Sequence, residues 1–392
     1  MMIRSTSLAV VLAAAAGAQN PEPIAPVTAP IRTSRAIDLV ICLDVSGSMS
    51  GLIHAARQNL WAIVNEMATL RPQPELRVAL LTYGCPAYGE ESGFVRIETP
   101  LTGDLDLVSQ KLFELGTNGG DEYVARVVKR SLDALDWSAD PQALKMIFVA
   151  GNEAATQDPE FDALQLAGQA IGKGVLVNTI YCGPQQKPEA DGWRQVARRA
   201  DGSFSAIEQD EQLVIATPFD KRLQELSTQW NATYVYYGRQ RAAWSSNQVA
   251  QDLNAAKLNS AAAAQRCQTK GSSLYFNPQH DLVDACRQKD FELAAVKKED
   301  LPEALRKLTV AELRAHVDKM GEKRKVLQKQ IAAIGKQRDA FVAAERKRRR
   351  ATGEKLFEEA MLEAVRAQAE SRGFARKVSS PDPEAAEGRR RF

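Results

Sequence analysis

Apolar positions along the chain follow two periods, and the switches between them mark its elements. Between residues 36 and 207 there are short apolar runs: Ile37–Leu43, Arg77–Tyr83, Leu144–Val149, Val175–Tyr181 and the briefer Ser203–Ile207. Runs rich in Ile, Leu and Val suit strands buried on both faces of a parallel sheet. Between them lie stretches whose apolar residues recur every three or four positions, the helical period. Leu52, Ala56, Leu60, Ile63, Val64 and Met67 form one such stretch. Leu105, Val108, Leu112 and Leu115 form another, and Val124, Val127, Val128, Leu132 and Leu135 a third. Ala163–Gly172 and Trp193–Ala200 continue the series; Phe94–Thr99, after the Pro/Gly turn Cys85–Gly93, alternates as a hairpin partner or edge strand. Strand and helix alternate through short connections, which predicts an α/β fold with a doubly wound, mostly parallel sheet.

Past Tyr237 the helical period dominates. Asn247–Gly271 is rich in Ala and Gln, with Val249, Leu253, Ala256 and Ala263 on one face, and His280–Phe291 offers a shorter helix. From Leu308 to Phe341 a heptad-like seam runs through Leu313, Val317, Met320, Leu327, Ile331, Ile334 and Phe341, interrupted by Arg324 and Arg338. About four heptads of that pattern predict a coiled coil. It forms either a helical hairpin on the chain's own earlier helices or a seam for a second subunit, and so a homo-oligomer. Glu354–Glu370 reads as a further helix and Ser379–Phe392 as a disordered tail. The expected organisation is an α/β domain over 36–237, a helical region over 238–300, a basic coiled coil over 301–350, and a helix with its tail over 351–392.

Composition sharpens the ends and the compartment. A chain of 392 residues holds one large domain with an extension, or two domains. The net charge of +2 conceals an asymmetry: residues 301–350 carry 15 Lys/Arg against 6 Asp/Glu, whereas 1–300 carry 28 against 35. Residues 1–18 read as a secretory signal, with Arg4 as the charged start, Leu8–Ala16 as an apolar core too short to span a bilayer, and Ala16-Gly17-Ala18 as the cleavage site. A Pro-rich linker follows over 19–35. Export to the periplasm, cell envelope or exterior is the expectation. It turns the Arg346–Arg350 run away from nucleic acid and towards an anionic envelope polymer or membrane surface, with a solvated helix end as the plainer reading. Of five cysteines, Cys42 and Cys182 sit in apolar runs as buried small residues, Cys85 follows a strand, and Cys267 with Cys286 is the pair best placed for a disulfide.

The chemistry concentrates where the first apolar run stops, at Asp44-Val45-Ser46-Gly47-Ser48. One carboxylate and two hydroxyls there lie on a strand-to-helix turn, at the carboxyl end of a central strand, where open α/β sheets bind ligands. Oxygen donors of this kind suit Mg²⁺ or Mn²⁺ rather than Zn²⁺. Asp-x-Ser-x-Ser in this setting resembles the metal-ion-dependent adhesion site (MIDAS) of von Willebrand factor A (VWA) domains, and the order of elements from Ala36 to Tyr237 is similar to a whole domain of that family. The resemblance covers about half the chain. It implies a VWA/Rossmann-like fold with an α-helical, coiled-coil extension, and a protein-binding module rather than an enzyme. It also implies a partner that presents an Asp or Glu to complete the metal's coordination.

Two positions depart from the family pattern. The Thr that VWA domains usually place before the third helix falls here on Glu122, with Asp121 as the alternative register, while Thr117 lies too far upstream. The Asp that usually follows the fourth strand is replaced by Gly151. A carboxylate is thus lost at 151 and gained at 122. Asp44, Ser46, Ser48 and Glu122 form the expected ligand set, with Asp121, Asn152 and Glu153 around it. Glu122 also fits a first-turn acid favoured by the helix dipole, and Asn152-Glu153 a plain turn. The alternative function is a structural envelope protein whose VWA fold has lost its metal and whose coiled coil carries the role. No His-Glu-x-x-His, Gly-x-Ser-x-Gly, Walker A or Cys-x-x-Cys pattern occurs, and His54, His280 and His316 are scattered.

Overall fold

The first apolar run forms β1 (Arg35–Asp44), and the rest of the α/β part is laid around it. In the computed structural model, which describes residues 35–207, 214–349 and 357–376, the order is as follows. After β1 come α1 (Ser50–Ala68), the two-residue β2 (Leu70–Arg71), β3 (Pro74–Tyr83), β4 (Val95–Thr102), α2 (Leu105–Glu114) and α3 (Val124–Ala134). Then come β5 (Leu144–Gly151), α4 (Ala163–Gly172), β6 (Val175–Cys182), α5 (Glu189–Arg199) and β7 (Phe204–Ile207). The expected leader, the linker up to residue 34, Arg350, residues 354–356 and the tail lie outside the described residues.

The main sheet has the order β4-β3-β1-β5-β6-β7, every neighbouring pair parallel except β3 with β4. That is a doubly wound sheet with one antiparallel edge. The strand order reverses on either side of β1, and the crevice at that switch lies at the carboxyl end of β1. Strand period fixes the two layers. Ile37, Leu39, Ile41 and Leu43 point into a core shared with α1 and α2, while Val40 and Cys42 point into one shared with α3, α4 and α5. Asp38, the single charge within the run, is fully buried and accepts two bonds of 2.8 Å from Arg77 and one of 2.7 Å from the Ser138 amide.

The second half of the chain is helical: α6 (Asp220–Asn231), α7 (Arg241–Leu258), α8 (Ser260–Lys270), the one-turn α9 (Leu282–Ala285), α10 (Val310–Arg349) and α11 (Phe357–Ser371), with the two-residue β8 (Ala375–Arg376) pairing with β2. The heptad-like seam is one face of the single 40-residue helix α10. Leu313, Val317 and Met320 pack with Val235, Leu282, Leu293 and Leu301, and Leu327 and Ile331 with Leu223, Leu226, Trp230 and Cys267. The seam is one unbroken helix and not a helical hairpin, and several short elements of the same chain pack on it. Phe341, at its end, is exposed. Helix α11 lies on the sheet: Phe357, Met361 and Val365 join the core of Leu39 and Ile41, and Gln368 exchanges hydrogen bonds of 2.6 and 3.1 Å with Asn178 on β6.

Three expectations are corrected. The helix over 247–271 is two helices, because Asn259 is extended (φ −177°) and its side chain accepts from the Ala262 amide to start α8. On α7 the face of Val249 and Leu253 is exposed, whereas Gln248, Gln251 and Ala255 are buried. Cys267 and Cys286 are both free thiols in separate clusters, the first under α6 and α10 and the second beside α9. Among the described residues no helix is long and apolar enough to cross a membrane.

Candidate functional site

Strand β1 ends in Asp44, which is fully buried, and the chain then turns sharply before α1. The Asp44 Oδ1 accepts the Ser46 amide at 2.8 Å, the local Asx bond that shapes such a turn. The Asp44 Oδ2 has no hydrogen-bond partner. The Ser46 hydroxyl, 3% exposed, also makes no bond of good geometry, although it lies near enough to the Asp44 and Glu122 carboxylates to favour their charged forms. Two buried polar oxygens left unmet at one place cost stability, on the order of 1–3 kcal/mol each, unless something else meets them.

Three loops close over this point. Val45 donates to the Tyr83 carbonyl at 2.9 Å, and the Asn118 amide to the Val45 carbonyl at 2.8 Å, so the ends of β1 and β3 and the 117–123 loop are tied together. Gly84 follows β3 in the left-handed region (φ +80°). A Cβ on it would lie 2.9 Å from Asp44 Oδ1, 3.1 Å from Glu122 Cγ and 3.6 Å from Ser46 Cβ. Asp44, Ser46 and Glu122 therefore converge over the bare backbone of Gly84. The Gln157 side-chain amide donates to the Glu122 carbonyl at 2.8 Å and steadies that residue just ahead of α3. Ser48 is exposed, and its hydroxyl accepts from the Asn152 amide at 3.0 Å. Asp121 and Glu153 are exposed at the rim.

The electrostatics are those of an uncompensated acidic site. Burial pushes the Asp44 carboxyl up to about 7, with Glu122 and Glu153 adding to the rise and the Ser46 amide bond and nearby hydroxyl opposing it. Burial also raises Glu122, with Glu153 and Asp121 as the acidic charges acting on it. Carboxylates that raise one another in this way favour either a proton or a cation between them.

At the second departure from the family pattern, Gly151 ends β5. A Cβ there would stand 2.5 Å from the Tyr83 hydroxyl, 3.1 Å from Asp44 Oδ2 and 3.2 Å from Trp193 Cη2. Tyr83, 1% exposed, is the register partner of Asp44 and donates to the Ala150 carbonyl at 2.9 Å. The tyrosine fills the space beside residue 151, which is why glycine stands there. Neither Tyr83 nor Gly84 was singled out from the sequence. The only sequence signal is their place at the end of the apolar run that pairs with β1.

The sequence-derived set is thus largely brought together: Asp44, Ser46 and Glu122 over Gly84, Ser48 with Asn152 beside them, Asp121 and Glu153 outside. Among the described residues no three His, Cys, Asp or Glu side chains form a ready metal cluster. The donor set here is two carboxylates with hydroxyls, and its unmet Asp44 and Ser46 oxygens fit a hard cation.

No protein-family profile and no curated protein sequence matches the chain. Among solved structures it is similar to the BatB protein of Bacteroides thetaiotaomicron, at 14% identity and TM-score 0.34 over 44% of this chain and 90% of that one. It is also similar to the SpRpn10 VWA domain, at 16% identity and TM-score 0.36 over 45% and 90%. A third similarity is to proximal thread matrix protein 1 of the mussel byssus, solved with a zinc-occupied MIDAS motif, at 11% identity and TM-score 0.36 over 46% and 43%. The fold assignment stands on this chain's own topology and not on likenesses of that size. The strand order β4-β3-β1-β5-β6-β7, parallel but for one edge and flanked by helices on both faces, gives the chain a doubly wound α/β fold like that of VWA domains.

Proposed function

We propose that the chain is a metal-dependent protein-binding module of an exported, envelope-facing kind. Asp44, Ser46, Ser48 and Glu122 would hold one Mg²⁺ or Mn²⁺. The bound cation would supply an attachment point for a carboxylate of a protein partner. The observation that carries this reading is the pair of buried, unmet oxygens, Asp44 Oδ2 and Ser46 Oγ, set beside a second carboxylate at the carboxyl end of the central strand. A site built only to close a turn would satisfy those oxygens internally.

The test is calorimetric titration of the full chain with MgCl₂ and MnCl₂. One ion per chain is expected for the wild type and none for Asp44→Ala. Coinciding wild-type and variant titrations would remove the metal from the account. Capture from envelope extract, with and without EDTA, then asks whether the partner depends on the ion. A second reading, a metal-free VWA fold serving as a structural part, draws on one observation: the Tyr83 ring occupies the space beside residue 151. Under that reading both titrations are flat, and any captured partner is indifferent to EDTA.

A further inference from the structure

We propose that the face around Asp44 selects a partner segment whose metal-binding carboxylate is flanked by lysine or arginine. This rests on the metal-dependent reading above and says which carboxylates the site accepts. The grounds are the charges. Asp44 and Glu122 together already balance the two positive charges of a divalent ion. The exchange of a carboxylate at 151 for one at 122 still leaves two at the ion, which then has less need of a further anion than a site with a single carboxylate has. Outside that pair stand Asp121 and Glu153, both exposed and both acting on the Glu122 carboxylate. Glu189, at the start of α5, extends the acidic edge towards β6; with Glu153 it acts on Tyr181, and its Oε2 has no hydrogen-bond partner.

Two arginines on the helices beside this face, Arg126 and Arg194, are engaged elsewhere. Arg126 on α3 binds Asp158 at 3.0 and 3.2 Å and lies 3.5 Å from Glu160, and Arg194 on α5 pairs with Asp191. A bare acidic segment would therefore meet a neutralised ion inside a negative rim. The buried and unmet Asp44 Oδ2 marks where a cation is required, and the rim outside it marks where further cations are. In an extended segment side chains alternate between two faces, so the residues two before and two after a central Asp point the same way as it does. Basic residues at those two places are set to meet the rim while the Asp reaches the ion. Each rim pair is exposed and modest, and together they sort partners more than they bind them.

The experiment uses the full chain at saturating MgCl₂ and three short peptides that share a central Asp and carry Lys, Gln or Glu two positions before and two positions after it. Fluorescence anisotropy should rank them Lys, Gln, Glu, with about tenfold between the extremes, narrowing as NaCl is raised. The double variant Asp121→Asn/Glu153→Gln should bring the extremes within about twofold of each other. Equal affinities, the reverse order, or no binding of any peptide by a chain that takes up Mg²⁺ overturns the selectivity and leaves the metal site standing. A chain that takes up no Mg²⁺ yet still prefers the Lys peptide in EDTA overturns the metal reading and retains the basic preference. Failure of both overturns both.

Discussion

Tyr83 and Asp44 end neighbouring strands as a register pair, and that pairing decides what residue 151 can be. Any side chain at 151 begins 2.5 Å from the Tyr83 hydroxyl, which is buried and held by the Ala150 carbonyl. Gly151→Asp, the substitution that would recreate the usual family residue, is therefore expected to overpack the site and lower stability by about 1–3 kcal/mol. Adding Tyr83→Phe, which deletes the clashing oxygen, should recover part of that loss in a thermal melt. If Gly151→Asp alone melts like the wild type, the tyrosine is not the obstacle. Glu122 tests the other half of the exchange. As a direct ligand it supplies one of two charges at the ion, so Glu122→Thr should weaken Mg²⁺ binding by at least about tenfold. As a helix-start acid it is worth only about 0.3–1 kcal/mol of stability, and the titration would not move. Most of this candidate site is legible in the sequence. Asp44, Ser46 and Ser48 declare themselves by chemistry and spacing, and Glu122 by counting back from the apolar face of α3. Tyr83 and Gly84 do not, because their effect is a matter of distance across two strands and no local pattern encodes it.

At the scale of elements, apolar period was enough wherever burial alone sets the face, and it misled where a polar network does. Strands β1, β3, β5 and β6 and helices α2, α3 and α4 fall within a few residues of their expected ends. Helix α6 carries only a short apolar face, Leu223, Leu226 and Trp230, in a mostly polar stretch, so its period is weak in the sequence. On α7 the apolar choice was Val249 and Leu253, but the helix turns Gln248, Gln251 and Asp252 inward. Gln248 accepts from Tyr236 at 2.7 Å and donates to Tyr275 at 3.0 Å, and Gln251 accepts from Ser109 at 2.9 Å. Asp252 takes Lys270 at 2.9 and 3.1 Å and Arg266 at 2.5 Å, and both bases are fully or almost fully buried. Lys270 and Arg266, two buried cations on α8, draw Asp252 of α7 inward, with Asp106 of α2 also meeting Arg266 at 2.7 Å, and that demand overrides the apolar stripe. Burial pushes the Asp252 carboxyl up, yet Lys270 and Arg266 more than offset it and hold it at about 2. A carboxyl lowered by folding contributes stability that is present above its unfolded value, near 3.8, and is lost as pH falls towards 2. Asp252→Asn should therefore cost about 3–5 kcal/mol at neutral pH in urea unfolding. Its curve and that of the wild type should approach each other below about pH 3. A gap that persists unchanged in acid would place the loss in packing and not in charge.

At the scale of the whole molecule, α10 clasps the helical half together and leads back to the sheet. The two arginines that interrupt its apolar seam are part of the clasp. Arg324, buried, donates to Asp281 at 2.7 Å and Asp284 at 3.0 Å, fastening α10 to α9, and Arg338 donates to Asp220 at 3.0 Å at the start of α6. Farther on, Arg346 pairs with Glu358 on α11, which carries the chain back to the sheet beside α1. The sequence showed an apolar seam and could not show its partner, because a heptad pattern reports that a helix face is covered without saying by what. Likewise the apolar face of α11 gave no sign that it would complete the sheet's own core. These contacts separate two outcomes for Ile331→Asp. Ile331 is 2% exposed and packs among Leu223, Leu226, Trp230 and Cys267 of its own chain. A carboxylate there has no base to meet it in that cluster, so burying it costs several kcal/mol or forces the seam open. The expected result is a lower melting temperature and lost helicity, with the sedimentation coefficient of the remaining folded protein unchanged. A seam shared between subunits gives the opposite signature: a wild-type dimer that becomes a folded monomer with its helicity intact. That result would mean that α10 leaves its own chain's helices in solution and finds a second copy. The same pair of measurements on Phe341→Asp serves as the comparison, because Phe341 is exposed at 41% and meets the edge of Phe219, so the internal packing predicts a much smaller loss there.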